Sequence, residues 1–285
     1  MKPAAPARLP LDVARRGAGP PVVLLHGFAA HRFTYRFWAD DLARTHELHL
    51  VDLVGFGAAP APPKRSGYGP LEQAEVVVRY LRERDLCGAT LIGHSLGGGV
   101  ALLVALRLHE LGEGHRLAGL VSIAGPAYPQ AIPYYIGLAR IPLLGALLLR
   151  LVRPDRLVRR VLAYIVFDPT AITDEQVRGY AVPLGTRRTK RAVLETARRI
   201  VPANLGELTT RFAEVAVPTL LLWGRHDRII PLWVGQRLER DLPRARLVVL
   251  ERCGHVPPEE LPEESLRAVR AFLAEIGAGR SAVSR

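Results

Sequence analysis

Thr90-Leu91-Ile92-Gly93-His94-Ser95-Leu96-Gly97-Gly98-Gly99-Val100-Ala101-Leu102-Leu103-Val104 is the stretch that decides how the chain is read. Thr90-Leu91-Ile92 has the look of a short buried strand, and the residues from about Gly99 to Leu111 read as an apolar helix. Between them stands the spacing G-x-S-x-G, Gly93 to Gly97. A serine on so tight a strand-to-helix turn is forced into a strained backbone that lifts its hydroxyl clear of the sheet. Glycines two residues to either side let neighbouring chain come close, and the helix N-terminus favours developing negative charge. As a bare five-residue pattern the motif is weak. The strand before it and the helix after it make Ser95 a candidate nucleophile.

A hydroxyl nucleophile needs a base and a group that orients the base, in the chain order serine, acid, histidine for this kind of turn. Trp223-Gly224-Arg225-His226-Asp227-Arg228 follows the apolar run 219–223 and supplies Asp227. Arg252-Cys253-Gly254-His255-Val256-Pro257 follows the run 246–250 and supplies His255. Both lie just past strand C-termini, where ligand sites of open α/β sheets gather. Asp52 is a weaker rival acid, ending a strand beside Gly55 and Gly57, while Gly125-Pro126 occupies a second rival position. Cys253 reads as a small structural residue, and His94 as a packing neighbour of the turn. The remaining histidines show no metal-ligand spacing with acidic partners, so no metal or cofactor is expected.

Working outward, short apolar strands at 22–25, 48–51, 90–92, 117–124, 219–223 and 246–250 alternate with amphipathic helices. That alternation predicts an α/β fold, a mostly parallel sheet covered on both faces. Leu9 to Arg15 is expected to add an antiparallel strand paired with residues 22–25. Residues 126–210 break the rhythm: they are Pro-punctuated, helical in pattern and carry basic clusters at 156–160 and 187–191. They predict a helical cap or lid inserted between two halves of one core, residues 1–125 and 211–285.

The chain resembles the α/β-hydrolase fold superfamily, in its cap-bearing group of serine hydrolases and esterases. The resemblance rests on His26-Gly27-Phe28, Asp52-Leu53-Val54-Gly55-Phe56-Gly57, Gly93-His94-Ser95-Leu96-Gly97-Gly98, Trp223-Gly224-Arg225-His226-Asp227 and Gly254-His255, in that order. It implies a metal-independent Ser95–His255–Asp227 triad acting through an acyl-enzyme. The backbone N–H groups of Phe28 and Leu96 would form the oxyanion hole, with His26 orienting that loop. The expected reaction is cleavage of carboxylic esters with apolar, short to medium acyl groups. C–C bond or lactone hydrolysis, and cofactor-free haloperoxidase or perhydrolase chemistry, stay open with the same triad. A serine at the turn argues against the dehalogenase and epoxide hydrolase branches, which use aspartate there. His26, Phe28, Tyr128, Tyr134, Tyr135, Phe167 and Trp233 are candidate pocket residues.

Composition narrows the setting. Of 285 residues 39 are basic and 27 acidic, a net charge of +12, yet only three of the basic residues are lysines. An Arg-rich coding bias explains that pattern, and no recognition motif accompanies the arginines, so nucleic acid is not an expected partner. Two cysteines give no disulfide framework. Met1 to Arg8 carries charge but no apolar run follows it, so no signal peptide is read and a cytoplasmic location is expected. Ala131 to Leu149 carries Arg140 as its sole charge and has the length of a membrane span, but Pro133, Gly137, Pro142 and Gly145 break it. A cap helix closing over an apolar pocket is the preferred reading there, ahead of a basic, membrane-facing segment. Sequence gives no oligomeric state.

Overall fold

The computed structural model describes residues 9–62 and 65–283. The leader reading of Met1 to Arg8 lies outside the described residues. Seven strands form one sheet: β1 (Asp12–Arg16), β2 (Pro21–Leu25), β3 (Glu47–Asp52), β4 (Ala89–His94), β5 (Leu117–Ile123), β6 (Thr219–Gly224) and β7 (Ala245–Leu250). Their order is β1-β3-β2-β4-β5-β6-β7, all parallel except β1. The core helices are α1 (Arg36–Leu42), α2 (Pro70–Glu83) and α3 (Leu96–Glu110). Between β5 and β6 run α4 (Tyr134–Arg140), α5 (Pro142–Leu151), α6 (Pro154–Ile165), α7 (Asp174–Leu184), α8 (Arg187–Arg199) and α9 (Leu205–Thr210). After β6 come α10 (Leu232–Asp241), α11 (Pro257–Glu260) and α12 (Pro262–Val283).

Side-chain alternation on β2 divides the core. Val22 and Leu24 face a cluster with Trp38 and Leu42 of α1 and with Val269, Phe272 and Leu273 of α12. Val23 and Leu25 face the opposite cluster with Val77 and Leu81 of α2 and Val100 and Val104 of α3. Both faces of the central strands are therefore apolar, as a parallel sheet under two helical layers requires. The chain winds outward from β2 to β3 and then returns to β4 on the other side of β2. That reversal opens a crevice beyond the C-terminal ends of β2 and β4, where open α/β sheets hold ligands. The loop after β2 carries Phe28 and the turn after β4 carries Ser95, so strand order brings them side by side.

One strand pairing differs from the sequence expectation. β1 pairs antiparallel with β3, Asp12 opposite Asp52 and Arg16 opposite Leu48, and not with residues 22–25. The link Gly17–Pro20 crosses the start of β3, where the Glu47 N–H donates to the Pro20 carbonyl, so β1 and β2 flank β3. An Arg15–Glu47 ion pair fixes that edge. The helix after Ser95 begins at Leu96, three residues earlier than its apolar content suggests, because the glycines belong to its first turn. Ala131 to Leu149 falls on α4 and α5, which meet at a bend of 110°. Among the described residues no single helix is long and apolar enough to cross a membrane.

A Cβ added to Gly97 would stand 2.3 Å from the Leu25 carbonyl oxygen and 2.6 Å from that of His26. Both are backbone atoms of the central sheet and its exit loop, so neither yields without moving the site. Gly97→Ala is expected to cost about 1–3 kcal/mol through overpacking, read as a lower urea midpoint, with a further loss of activity as the turn shifts. An unchanged midpoint would contradict so close an approach of α3 to the end of β2.

Candidate active site

Ser95 has φ 53° and ψ −120°, a left-handed conformation that a non-glycine residue adopts only when its surroundings impose it. The imposition is visible: its N–H donates to the Ile123 carbonyl of β5 at 2.8 Å. Gly93 and Gly97 on either side pack against backbone. The result is a hydroxyl held above the sheet, 2.9 Å from Nε2 of His255. Nδ1 of His255 lies 2.8 Å from Oδ2 of Asp227. The other oxygen of Asp227 accepts from the N–H groups of Ile229 and Ile230 at 2.8 and 2.9 Å. Asp227 is 7% and His255 4% exposed. The structure thus brings Ser95, His255 and Asp227 into one hydrogen-bonded chain running from β4 to the ends of β6 and β7.

Asp52, the rival acid, has a different task. It accepts from the Arg32 N–H and guanidinium and from the Ala58 N–H. Burial alone would raise its carboxyl, but the neighbouring His26, these amides and Arg32 together hold it below the usual range. Cys253 is fully buried, and burial pushes its thiol up and out of nucleophilic range. Among the described residues no group of three or more His, Cys, Asp or Glu side chains comes together as a metal site.

Beside Ser95 opens a cavity of about 540 Å³. Phe28 and Leu96 line it next to Ser95 and His255. Tyr128 and Tyr135 also line it, while the remaining pocket candidates do not. Tyr134 and Trp233 are exposed, and Phe167 packs against His226 with ring centroids 4.8 Å apart and the rings tilted by 35°. His26 is buried behind the loop rather than in the cavity. Its Nδ1–H donates to the Gly27 carbonyl and its Nε2 accepts from the Leu53 N–H at 2.9 Å, tying the loop after β2 to the end of β3.

Two carboxylates that the sequence reading passed over stand beside His255. Glu260 accepts from the N–H groups of Gly254, Val256 and Phe167, so it fixes the backbone on both sides of His255. Glu259 lines the cavity, pairs with Arg36 at 2.8 Å and accepts from Gln176 and Tyr180 of α7. Burial raises its carboxyl in spite of Arg36. The available signal was two acids, four and five residues after His255 and following Pro257-Pro258.

A profile described as "Alpha/beta hydrolase family" matches residues 22–268. The chain belongs to the alpha/beta hydrolase family. It is 30% identical over 268 residues to a pimeloyl-[acyl-carrier protein] methyl ester esterase of Aeromonas salmonicida, covering 92% of this chain and 99% of that one. It is equally 30% identical, over 266 residues, to a 2-hydroxy-6-oxononadienedioate/2-hydroxy-6-oxononatrienedioate hydrolase of Paraburkholderia xenovorans, covering 89% and 86%. A solved alpha/beta hydrolase fold protein from Burkholderia ambifaria superposes with a TM-score of 0.78 at 25% identity, covering 91% and 93%. The protein is accordingly a hydrolase of the α/β fold.

The buried histidines make a prediction about stability. Burial lowers His26 to about 4, and burial together with the neighbouring His255 lowers His94 to about 3, from the ordinary 6.5. His94 is held neutral with Nε2–H donating to the His255 carbonyl at 2.8 Å. The unfolded chain takes up these protons below its pKa of 6.5 and the native state refuses them. Their contribution is therefore complete above that pH and lost as pH falls toward 4 and 3. Urea unfolding is expected to lose about 2 kcal/mol per histidine between about pH 7 and pH 5. A stability flat over that interval would contradict neutral, buried imidazoles at both positions.

Proposed function

We propose that the protein is a serine hydrolase that cleaves carboxylic esters with apolar, short to medium acyl groups. The observation that carries the proposal is the Ser95–His255–Asp227 chain opening onto a cavity whose lining is mostly aliphatic, including Ile136, Leu149, Leu162 and Leu184. Its volume suits a small organic ligand. We treat residues 126–210 as a cap over the core of residues 1–125 and 211–285, because that segment, loops included, supplies most of that aliphatic lining.

In this reading the Ser95 Oγ attacks the ester carbonyl carbon while Nε2 of His255 takes the hydroxyl proton. Asp227 keeps the imidazole in the tautomer with a proton on Nδ1 and stabilises the imidazolium. The carbonyl oxygen, now carrying the negative charge, is received by the N–H groups of Leu96 and Phe28, each worth about 2.7–4 kcal/mol. Collapse breaks the bond to the alcohol, which leaves with the proton from His255. Water, deprotonated by the same histidine, then attacks the acyl-enzyme and restores Ser95. Glu260 acts through the backbone around His255 and is a positioning residue.

C–C bond, lactone and perhydrolase reactions use the same three residues, and relatives of both hydrolase kinds stand at equal identity. The lining favours the ester reading. A dioate such as the one named for the Paraburkholderia relative carries two carboxylates, of which Arg140 could receive one, while the other would face the Glu259 carboxyl or mainly apolar side chains.

A fluorophosphonate probe is expected to label Ser95, and Ser95→Ala to lower turnover of p-nitrophenyl butyrate by at least about 10³-fold. Asp227→Asn should cost about 10⁴-fold in kcat with the fold intact. A folded but unlabelled enzyme would overturn the proposal, as would faster turnover of a vinylogous diketone than of any ester. Leu149→Trp, which fills the cavity, is expected to lower kcat/KM for the longest accepted ester about tenfold or more. The acetate ester should stay nearly unchanged.

A further inference from the structure

The helices that enclose the cavity have a second apolar face that points away from it. On α5 the residues Leu143, Leu147 and Leu151, spaced one helical turn apart, are 87%, 51% and 70% exposed. Ile141 and Leu144 beside them and Leu138 on α4 are exposed too. The opposite side of α5 is satisfied: Leu149 is buried against the cavity, and Gly145 lies against α4 and α8. An apolar surface of this extent in water marks a contact with something else.

Charge says what that contact is. Residues 131–153 contain Arg140, Arg150 and Arg153 and no Asp or Glu. At about 100° per residue, Arg150 falls on the same face as Leu143, Leu147 and Leu151. Farther along the chain, α6 exposes Arg156, Arg159 and Arg160. Arg153 and Arg159 are met by Asp155 and Asp174. Arg150, Arg156 and Arg160 have no carboxylate partner among the described residues. Several arginines of the core pair locally, as Arg107 does with Glu110, Arg211 with Glu214 and Arg225 with Glu251. Unneutralised arginines beside exposed leucines, on a helix without acids, complement a surface that is apolar beneath and negative at its rim.

We infer that α5, with the adjoining ends of α4 and α6, docks the protein on an anionic lipid bilayer, the leucines entering the acyl boundary and the arginines meeting the headgroups. A second copy of the chain is a poorer match, because its own face would set arginine against arginine. The short helices and the 110° bend fit a segment lying in the interface rather than crossing it. This places the cavity, lined by the inner faces of the same helices, beside the phase into which apolar esters partition. That last consequence rests on the ester reading, whereas the binding does not.

The test is co-sedimentation of the full chain with sucrose-loaded vesicles of phosphatidylcholine, alone or with phosphatidylglycerol at about 30 mol%, in low and high salt. Binding is expected to be at least about tenfold stronger on the anionic vesicles and to weaken as salt rises. Both L143S/L147S/L151S and R150Q/R156Q/R160Q should lower it about tenfold, with thermal melts showing that each variant folds. Absence of binding, or undiminished binding by the folded leucine variant, would overturn the inference. So would a concentration-dependent dimer in analytical ultracentrifugation that the leucine variant abolishes, since the face would then belong to a second copy. Vesicle binding by a protein that hydrolyses no ester would remove the ester reading and leave this one standing.

Discussion

Backbone packed directly on backbone around Ser95 governs the site. A Cβ on Gly93 would lie 2.1 Å from the Gly97 carbonyl oxygen, so the strand enters the turn and the helix leaves it with no side chain between them. The close fit of that helix against the exit of β2 brings the Phe28 loop within reach of Ser95. It also forces the serine into a conformation that costs of order 1–3 kcal/mol, which persists because the sheet and α3 over-determine it. Neutral histidines brace the same region from behind. His26 ties the Phe28 loop to β3, and His94 ties the turn to the carbonyl of His255. The polar groups beneath the site are therefore fixed before any ligand arrives, which is the preorganisation that stabilisation of developing charge requires.

The far side of the site is held by carboxylates. Glu260 gathers three backbone N–H groups, one of them from Phe167 beyond α6, while the His255 N–H donates to the Ile165 carbonyl at 2.9 Å. The histidine loop is thus braced by the helical excursion as well as by the core. Glu259 does the same for α7 through Gln176 and Tyr180, and Tyr180 also meets Thr34 at 3.0 Å. These contacts make the position of the imidazole depend on how the helices between β5 and β6 sit. A substitution in that excursion can act on the chemistry without touching a substrate.

The order of strands and helices was legible because apolar runs of strand length, such as Val22-Val23-Leu24-Leu25 and Thr219-Leu220-Leu221-Leu222, are buried on both faces and carry no competing pattern. Ser95, Asp227 and His255 stood out because each follows such a run at a turn. The partner of β1 was not legible: an edge strand carries little pattern, and its register is set by β3 and the Arg15–Glu47 pair thirty-two residues away. The cavity wall was harder still. Tyr134 and Tyr135 are neighbours in sequence, yet one faces solvent and the other the cavity, because a helix turns its residues about 100° apart. Aromatic type alone carries no information about that rotation. Glu259 and Glu260 went unread for a related reason, since their partners are backbone amides and residues from α7 that only the fold brings near.

The run from Ala131 to Leu149 looked ambiguous in sequence because it is apolar around most of its circumference, and the structure shows why both halves are needed. A helix with one apolar stripe can either line a cavity or face an apolar phase, but not both. α5 does the first with Leu149, and its leucines at 143, 147 and 151 are left for the second. Pro142 and the 110° bend divide the run so that neither piece has the length to span a bilayer, while each still presents an inner and an outer face. The excess of arginine gains a place in this arrangement. Residues 126–210 hold thirteen basic and six acidic residues against twenty-six and twenty-one in the rest of the chain, so the net positive charge falls disproportionately on the helical excursion. That side presents exposed cationic side chains beside exposed apolar ones.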